Sequence, residues 1–220
     1  MLNIMNTRIL LADDHEVVLR GLRSLIEMQP GFEICGEAAN GRLAVDLARE
    51  LNPEVVIMDI GMPELNGFEA TRQIRRSAPK VAVLVLSMHQ SDQLVREVLA
   101  AGARGYMLKS DAGRELVGAI SALAGGGTYF SPTVAKAAKR TGVQPSPKKP
   151  GRRASGDLTQ REHEILQLLA EGRSNKSTAT KLGISVKTVE THRARIMNKL
   201  EMKSLADLVR YAVRNHIIEP

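Results

Sequence analysis

Residues 55–59 read VVIMD, four apolar positions closed by an aspartate. A short apolar run without polar alternation suits a parallel strand covered on both faces. Four comparable runs lie around it: Arg8–Ala12 (RILLA), Phe32–Ala38, Val81–Ser87 (VAVLVLS) and Gly105–Lys109 (GYMLK). The intervening segments carry helical spacing. His15–Gln29 puts Val18, Leu22, Leu25 and Ile26 on one face, Ser91–Ala101 does so with Leu94, Val95, Val98 and Leu99, and Gly113–Ala124 with Leu116, Val117, Ile120 and Leu123. Strand alternating with helix five times predicts an α/β fold with a doubly wound, five-stranded parallel sheet.

The texture changes after Ala124. Gly125–Gly127 ends the fifth helix and Ser131-Pro132 starts a short helical piece. Residues 140–156 (RTGVQPSPKKPGRRASG) are rich in proline, glycine, serine and positive charge and have no periodicity, as a flexible linker would. From Leu158 the pattern is helical to the end, enough for a small all-α domain of four helices. The expected organisation is therefore residues 1–130, a linker over 131–156, and residues 157–220.

Charge separates along the same line. The net formal charge is +7, but residues 1–135 sum to −3 and residues 136–220 to +10. A basic unit behind an acidic one is expected to meet a polyanion, nucleic acid first and an acidic membrane surface second. The single cysteine, Cys35, allows no intramolecular disulfide and no cysteine-rich metal site, and it falls in an apolar stretch as a small buried hydrophobe would. No apolar run approaches the roughly 20 residues of a membrane span, and the N-terminus has no leader pattern. The expectation is a cytoplasmic protein with no membrane partner.

In a doubly wound sheet, ligands bind beyond the carboxyl ends of the strands. Those ends are polar here. The first strand runs into Asp13-Asp14, the third ends in Asp59, the fourth in Ser87 and the fifth in Lys109. Three crowded carboxylates favour a divalent cation, and oxygen-only ligands point to magnesium. An aspartate in such a site can accept a phosphoryl group, while a lysine and a hydroxyl neutralise and bond its oxygens.

At these residues the chain resembles the receiver domain of response regulators, over essentially all of residues 6–125. The resemblance rests on Asp13-Asp14, on VIMDIGMPELNG at 56–67, on Ser87, and on Gly105–Lys109. It implies a flavodoxin-like fold, Asp59 as phosphoacceptor, and Mg2+ held by Asp13, Asp14, Asp59 and the backbone carbonyl of Gly61. Ser87 and Lys109 would contact the phosphoryl group, and Tyr106 would be the aromatic that turns inward on activation, so that Ser87 and Tyr106 form the switch. Pro63 and Gly67 suit the tight loop after the phosphoacceptor. A receiver that folds but is never phosphorylated usually lacks an acidic residue or the lysine; none is missing here.

In the C-terminal part, Thr159 and Glu162 form a capping-box pattern. Ser174 starts a short helix that Gly183 ends, and Ser185 caps the next, which runs from about Val186 to Leu200. Two helices joined by a short glycine-containing turn are a helix-turn-helix. On the second, Val189, Ile196 and Leu200 are expected to pack inward, leaving a polar outer face for the DNA major groove. The stretch LTQREHEILQLLAEGRSNKSTATKLGISVKTVETHRARIMNKL resembles the LuxR-type DNA-binding domain over residues 157–218. With the receiver in front, the chain resembles the NarL/FixJ class. The resemblance implies that Lys187, Glu190, Thr191 and Ala194 face the groove, with Thr188, His192, Arg193, Arg195 and Lys199 among or near further DNA contacts. The family usually has Glu-Ile where this chain has Ser177-Thr178. Ser177 forfeits a second capping box, and Thr178 puts a hydroxyl where an isoleucine packs. The remaining histidines (His15, His89, His163, His216) read as surface or local hydrogen-bonding groups.

The functional expectation is a two-component response regulator, not an enzyme beyond its own phosphorylation and dephosphorylation. A histidine kinase would phosphorylate Asp59, and the protein would then form a homodimer and bind double-stranded operator DNA to regulate transcription. Two alternatives remain: a DNA-binding regulator whose receiver answers to a partner protein or small molecule, and an interaction module whose basic domain meets protein or membrane.

Overall fold

The computed structural model describes residues 6–88, 92–132, 134, 135 and 158–218; the linker stretch 140–156 and His89 lie outside them. The five expected strands form a parallel sheet: β1 (Thr7–Ala12), β2 (Phe32–Ala38), β3 (Val55–Asp59), β4 (Ala82–Ser87) and β5 (Gly105–Leu108), in the order β2-β1-β3-β4-β5. Five helices cover its two faces: α1 (Glu16–Glu27), α2 (Gly41–Leu51), α3 (Gly67–Ser77), α4 (Asp92–Ala101) and α5 (Ala112–Ala124). All residues of β3 and β4 are buried. Successive side chains leave opposite faces of a strand, so Val56 and Met58 join the core under α2, α3 and α4, while Val55 and Ile57 join the core with α1 and α5.

A two-residue sixth strand, β6 (Tyr129–Phe130), extends the sheet beyond β5. Gly126 takes φ 81° and Gly127 donates to the Ala122 carbonyl, which turns the chain back after α5. Tyr129 and Ser131 then donate to the Arg104 and Tyr106 carbonyls, satisfying the open edge of β5. A strand this short has no periodicity to read, so the sequence pattern stops at five.

α2 and α3 start on asparagines. Asn40 accepts from the Leu43 N–H and Asn66 from the Glu69 N–H, each satisfying one unpaired donor of the first turn.

The C-terminal unit consists of α6 (Gln160–Ala170), α7 (Asn175–Leu182), α8 (Val186–Lys199) and α9 (Leu205–Arg214). They close on a core that includes Ile165, Leu169, Ala179, Val189, Ile196, Leu208 and Ala212. The expected caps are present. Thr159 and Glu162 bond reciprocally, Ser174 and Ser185 accept from the third N–H of their helices, and Gly183 ends α7 with φ 63°. A second capping box, Ser204 with Asp207, opens α9.

Candidate functional site

Strand order reverses between β1 and β3, and the crevice at such a reversal binds ligands. Ala12 pairs with Met58 there, so Asp13 and Asp59 leave the sheet side by side. Both are nearly buried, at 1% and 4% exposure. The Lys109 ammonium, arriving from the end of β5, lies 2.7 Å from Asp13 Oδ2 and 2.8 Å from Asp59 Oδ1. Asp59 Oδ2 is buried and has no hydrogen-bond partner among the described residues. Burial, followed by the negative charge of Asp13, pushes the Asp59 carboxyl above the usual carboxylate range against the pull of Lys109. Burial opposes the Lys109 charge, but its bonds to Asp13 and Asp59 outweigh it and hold the ammonium protonated to higher pH.

Asp13, Asp14, Asp59 and His15 each place one ligand atom within 4.8 Å of the others, a cluster able to coordinate a divalent metal. An unpartnered buried carboxylate oxygen beside two further carboxylates is the kind of donor set a hard cation satisfies. His15 is the member that sequence reasoning set aside. Its Nδ1 lies 3.0 Å from Asp14 Oδ1 and 3.2 Å from Asp13 Oδ1, and its N–H donates to Asp13 Oδ1. The Asp14 charge, first of several causes, raises its pKa. Its place directly after the acidic pair was the available signal.

Ser87 is buried at the end of β4 and Tyr106 is fully buried in β5, with their side chains hydrogen-bonded to each other. Tyr106 therefore points inward in this structure. Gly61 lies half-buried on the loop between β3 and α3. The loop is closed by the Gly67 N–H on the Ile60 carbonyl, 2.9 Å. Only glycine fits at 67, because a Cβ there would come within 2.0 Å of the Asp59 carbonyl oxygen.

On α8, Val189 and Ile196 are fully buried and Leu200 packs against the same core, as expected. Lys187, Glu190, Thr191, Ala194 and Arg195 are exposed, while His192 and Arg193 are half-buried. The Thr191 hydroxyl donates to the Lys187 carbonyl, and the Thr188 hydroxyl bonds Ser185 at the helix cap. Lys199 is ion-paired with Glu162, 2.7 Å away. The Thr178 hydroxyl is buried with no partner among the described residues.

One feature has no counterpart in the sequence pattern: the two units touch, and they do so through the β3–α3 loop. The Gln167 carboxamide on α6 accepts the Asn66 N–H (2.8 Å) and donates to the Met62 carbonyl (2.9 Å). Glu171 Oε1 accepts the Glu64 N–H, and Lys181 pairs with the Glu64 carboxylate. Alongside, Glu164 meets Gln73 and Arg42, and Arg76 donates to Gln160. These contacts use α6 and α7, leaving the outer face of α8 open. Such a contact pairs residues about 100 positions apart, and the motifs they lie in say nothing of each other.

Comparison with known proteins agrees with this architecture. The family model described as response regulator receiver domain matches residues 9–121, and that of bacterial regulatory proteins, luxR family, matches residues 157–212. The transcriptional regulatory protein MctR of Rhizobium johnstonii is 40% identical over 211 residues, covering 96% of this chain and 95% of that protein. LiaR of Bacillus subtilis is 39% identical over 215 residues, covering 96% and 99%. Among solved structures, a LuxR-family two-component response regulator from an Aurantimonas species aligns with a TM-score of 0.60 at 40% identity, over 63% of this chain and 99% of that one. The RcsB–DNA complex aligns with a TM-score of 0.57 at 26% identity, over 94% and 97%. Among the described residues, no helix is long and apolar enough to cross a membrane.

Proposed function

We infer the mechanism of this chain from its family: it belongs to the two-component response regulators that join a receiver domain to a LuxR-type DNA-binding domain. Residues 1–130 serve as the receiver and 157–220 as the output domain, with the segment between them as linker. Asp59 is the phosphoacceptor. Its Oδ2 attacks the phosphorus of a histidine kinase's phosphohistidine; the O–P bond forms, the P–N bond breaks, and the imidazole leaves. Lys109 holds Asp59 Oδ1 and Asp13 Oδ2, so the nucleophile is oriented and its neighbour partly neutralised before the donor arrives. Ser87 reaches the transferred group and passes its presence to Tyr106 through their shared hydrogen bond. Asp13, Asp14, Asp59 and the Gly61 carbonyl would hold Mg2+, which offsets negative charge on the phosphoryl oxygens when bound.

The phosphorylated chain forms a homodimer, and two α8 helices read adjacent half-sites of operator DNA. Lys187, Glu190, Thr191 and Ala194 face the groove, while Thr188, His192, Arg193 and Arg195 lie among or near phosphate contacts and Lys199 is held by Glu162. In support, a solved relative is described as two RcsB dimers bound to two parallel DNAs. A cytoplasmic location is in keeping with a kinase and DNA as partners.

The observation carrying this mechanism is the buried, unpartnered Oδ2 of Asp59 beside Lys109 and two further carboxylates. Incubation with acetyl phosphate and Mg2+ tests it by intact mass. Wild type gains one phosphoryl group and Asp59→Asn gains none; equal labelling of the two would exclude Asp59 as acceptor.

A further inference from the structure

We propose that Gln167, a residue of the DNA-binding domain, is a positioning residue for the receiver's metal site, so that the output domain sets how tightly the acidic pocket holds its divalent cation. The inference rests on the pocket being the phosphoacceptor site with the Gly61 carbonyl among its ligands.

Gln167 is 1% exposed, and its carboxamide bonds main chain in both directions, as a neighbouring strand would. One partner is the carbonyl of Met62, the residue directly after Gly61. The other is the N–H of Asn66, whose side chain caps α3. Gln167 thus spans the loop from the residue beside the ligand carbonyl to the start of the helix. The loop needs such support. Glu64, at its centre, has φ 68°, a left-handed conformation that non-glycine residues seldom adopt. Its N–H is held by Glu171 and its carboxylate by Lys181, both in the output domain, and Glu171 Oε1 also accepts from Gln167 Nε2. The loop's inner edge is fixed by the receiver itself through Gly67 and Ile60, and its outer edge is fixed by the other domain.

A backbone carbonyl is a useful metal ligand only if the peptide plane carrying it is held in place. The plane following Gly61 leads into Met62, and the Met62 carbonyl is the group Gln167 grips. Release of Gln167 loosens the two ends of the Met62–Asn66 segment, leaving Glu171 and Lys181 to hold only its centre at Glu64, and the Gly61 carbonyl loses its fixed direction. Coupling between sites is reciprocal, so metal binding in turn favours the docked arrangement of the domains.

The full-length protein, Gln167→Ala and the similarly sized, apolar Gln167→Met are titrated with Mn2+, the free ion being counted by EPR, and Mg2+ affinity is obtained by competition. The initial rate of phosphorylation by acetyl phosphate is then followed against Mg2+. Both variants are expected to bind Mn2+ and Mg2+ about fivefold more weakly, with the Mg2+ concentration for half-maximal rate shifted equally and the rate at saturating Mg2+ unchanged. Folding is checked by the dispersion of amide NMR signals; because methionine keeps the volume of the side chain, it guards against loss through a cavity. Affinities within twofold of wild type in the two variants would overturn the proposal while leaving the phosphoacceptor assignment intact. A wild type that binds neither metal nor phosphoryl group would remove both.

Discussion

Lys199 sets its ammonium 2.7 Å from Glu162 Oε2, tying the last turn of the recognition helix α8 to the first turn of α6. Glu162 is 3% exposed and already bonds the Thr159 N–H in its capping box. Lys199 therefore completes a buried carboxylate's partners while its stem leaves the helix end. Replacing Lys199 with methionine strands that carboxylate and is expected to destabilise the C-terminal domain by about 1–3 kcal/mol. The salt dependence of DNA binding should not change, because the ammonium is already engaged. A salt slope shallower by about one, with unaltered stability, would instead place Lys199 on a phosphate.

The same domain should be acid-labile. Burial pushes the Glu162 carboxyl up, but the bonds from Lys199 and Thr159 outweigh it and hold its pKa below the usual value. The Ser204 hydrogen bond, followed by that of Arg210, takes Asp207 down to about 2. Carboxylates with depressed folded pKa values stabilise the fold fully above their unfolded pKa of about 4 and lose that contribution as pH falls through the folded value. Amide exchange at Ile196 and Leu208 should report a falling opening free energy from about pH 4 downward. Glu162→Gln with Asp207→Asn should flatten the profile, and an unflattened profile would show that these two carboxylates are not its source.

Thr178 offers a gain. Its hydroxyl is fully buried without a partner among the described residues, so Thr178→Val, which keeps the shape and removes the polar atom, should stabilise by about 1–2 kcal/mol. A lower melting temperature in this variant would mean that the hydroxyl finds a partner.

On the groove side, Lys187→Ala is expected to weaken binding to all sequences alike and to reduce the salt slope by about one. Glu190→Ala is expected to change base preference at one position with little effect on the slope. Binding measured against a panel of single-base operator variants at two salt concentrations separates these outcomes; exchanged behaviour would reverse the two roles.

Much of this molecule is legible in its sequence because its chemistry sits where elements end. VVIMD marks a fully buried strand, and the residue that closes it is Asp59; the acidic pair after β1 and the lysine after β5 follow the same logic. Caps such as Thr159, Ser174 and Ser185 are local, so residue type alone reveals them. β6 escaped because two residues carry no period, and its formation depends on the open edge of β5. His15 reads as a surface or local hydrogen-bonding group, and its bond to Asp13 is local; only the folded sheet end brings it near Asp59 as well. The contact of Gln167 with Met62 and Asn66 could not be read at all. It joins a side chain to main-chain groups of another domain, and main-chain groups are the same at every residue.

We propose that phosphorylation of Asp59 drives dimerisation and DNA binding. The most direct test is the oligomeric state, by light scattering, together with affinity for a duplex selected from random sequence by the phosphorylated protein. Both are measured with and without acetyl phosphate and Mg2+, for wild type and Asp59→Asn. The mechanism predicts that only treated wild type becomes a dimer and binds at least tenfold more tightly, a difference of about 1.4 kcal/mol. Equal binding by both proteins under every condition would contradict it and leave a DNA-binding protein governed by some other input.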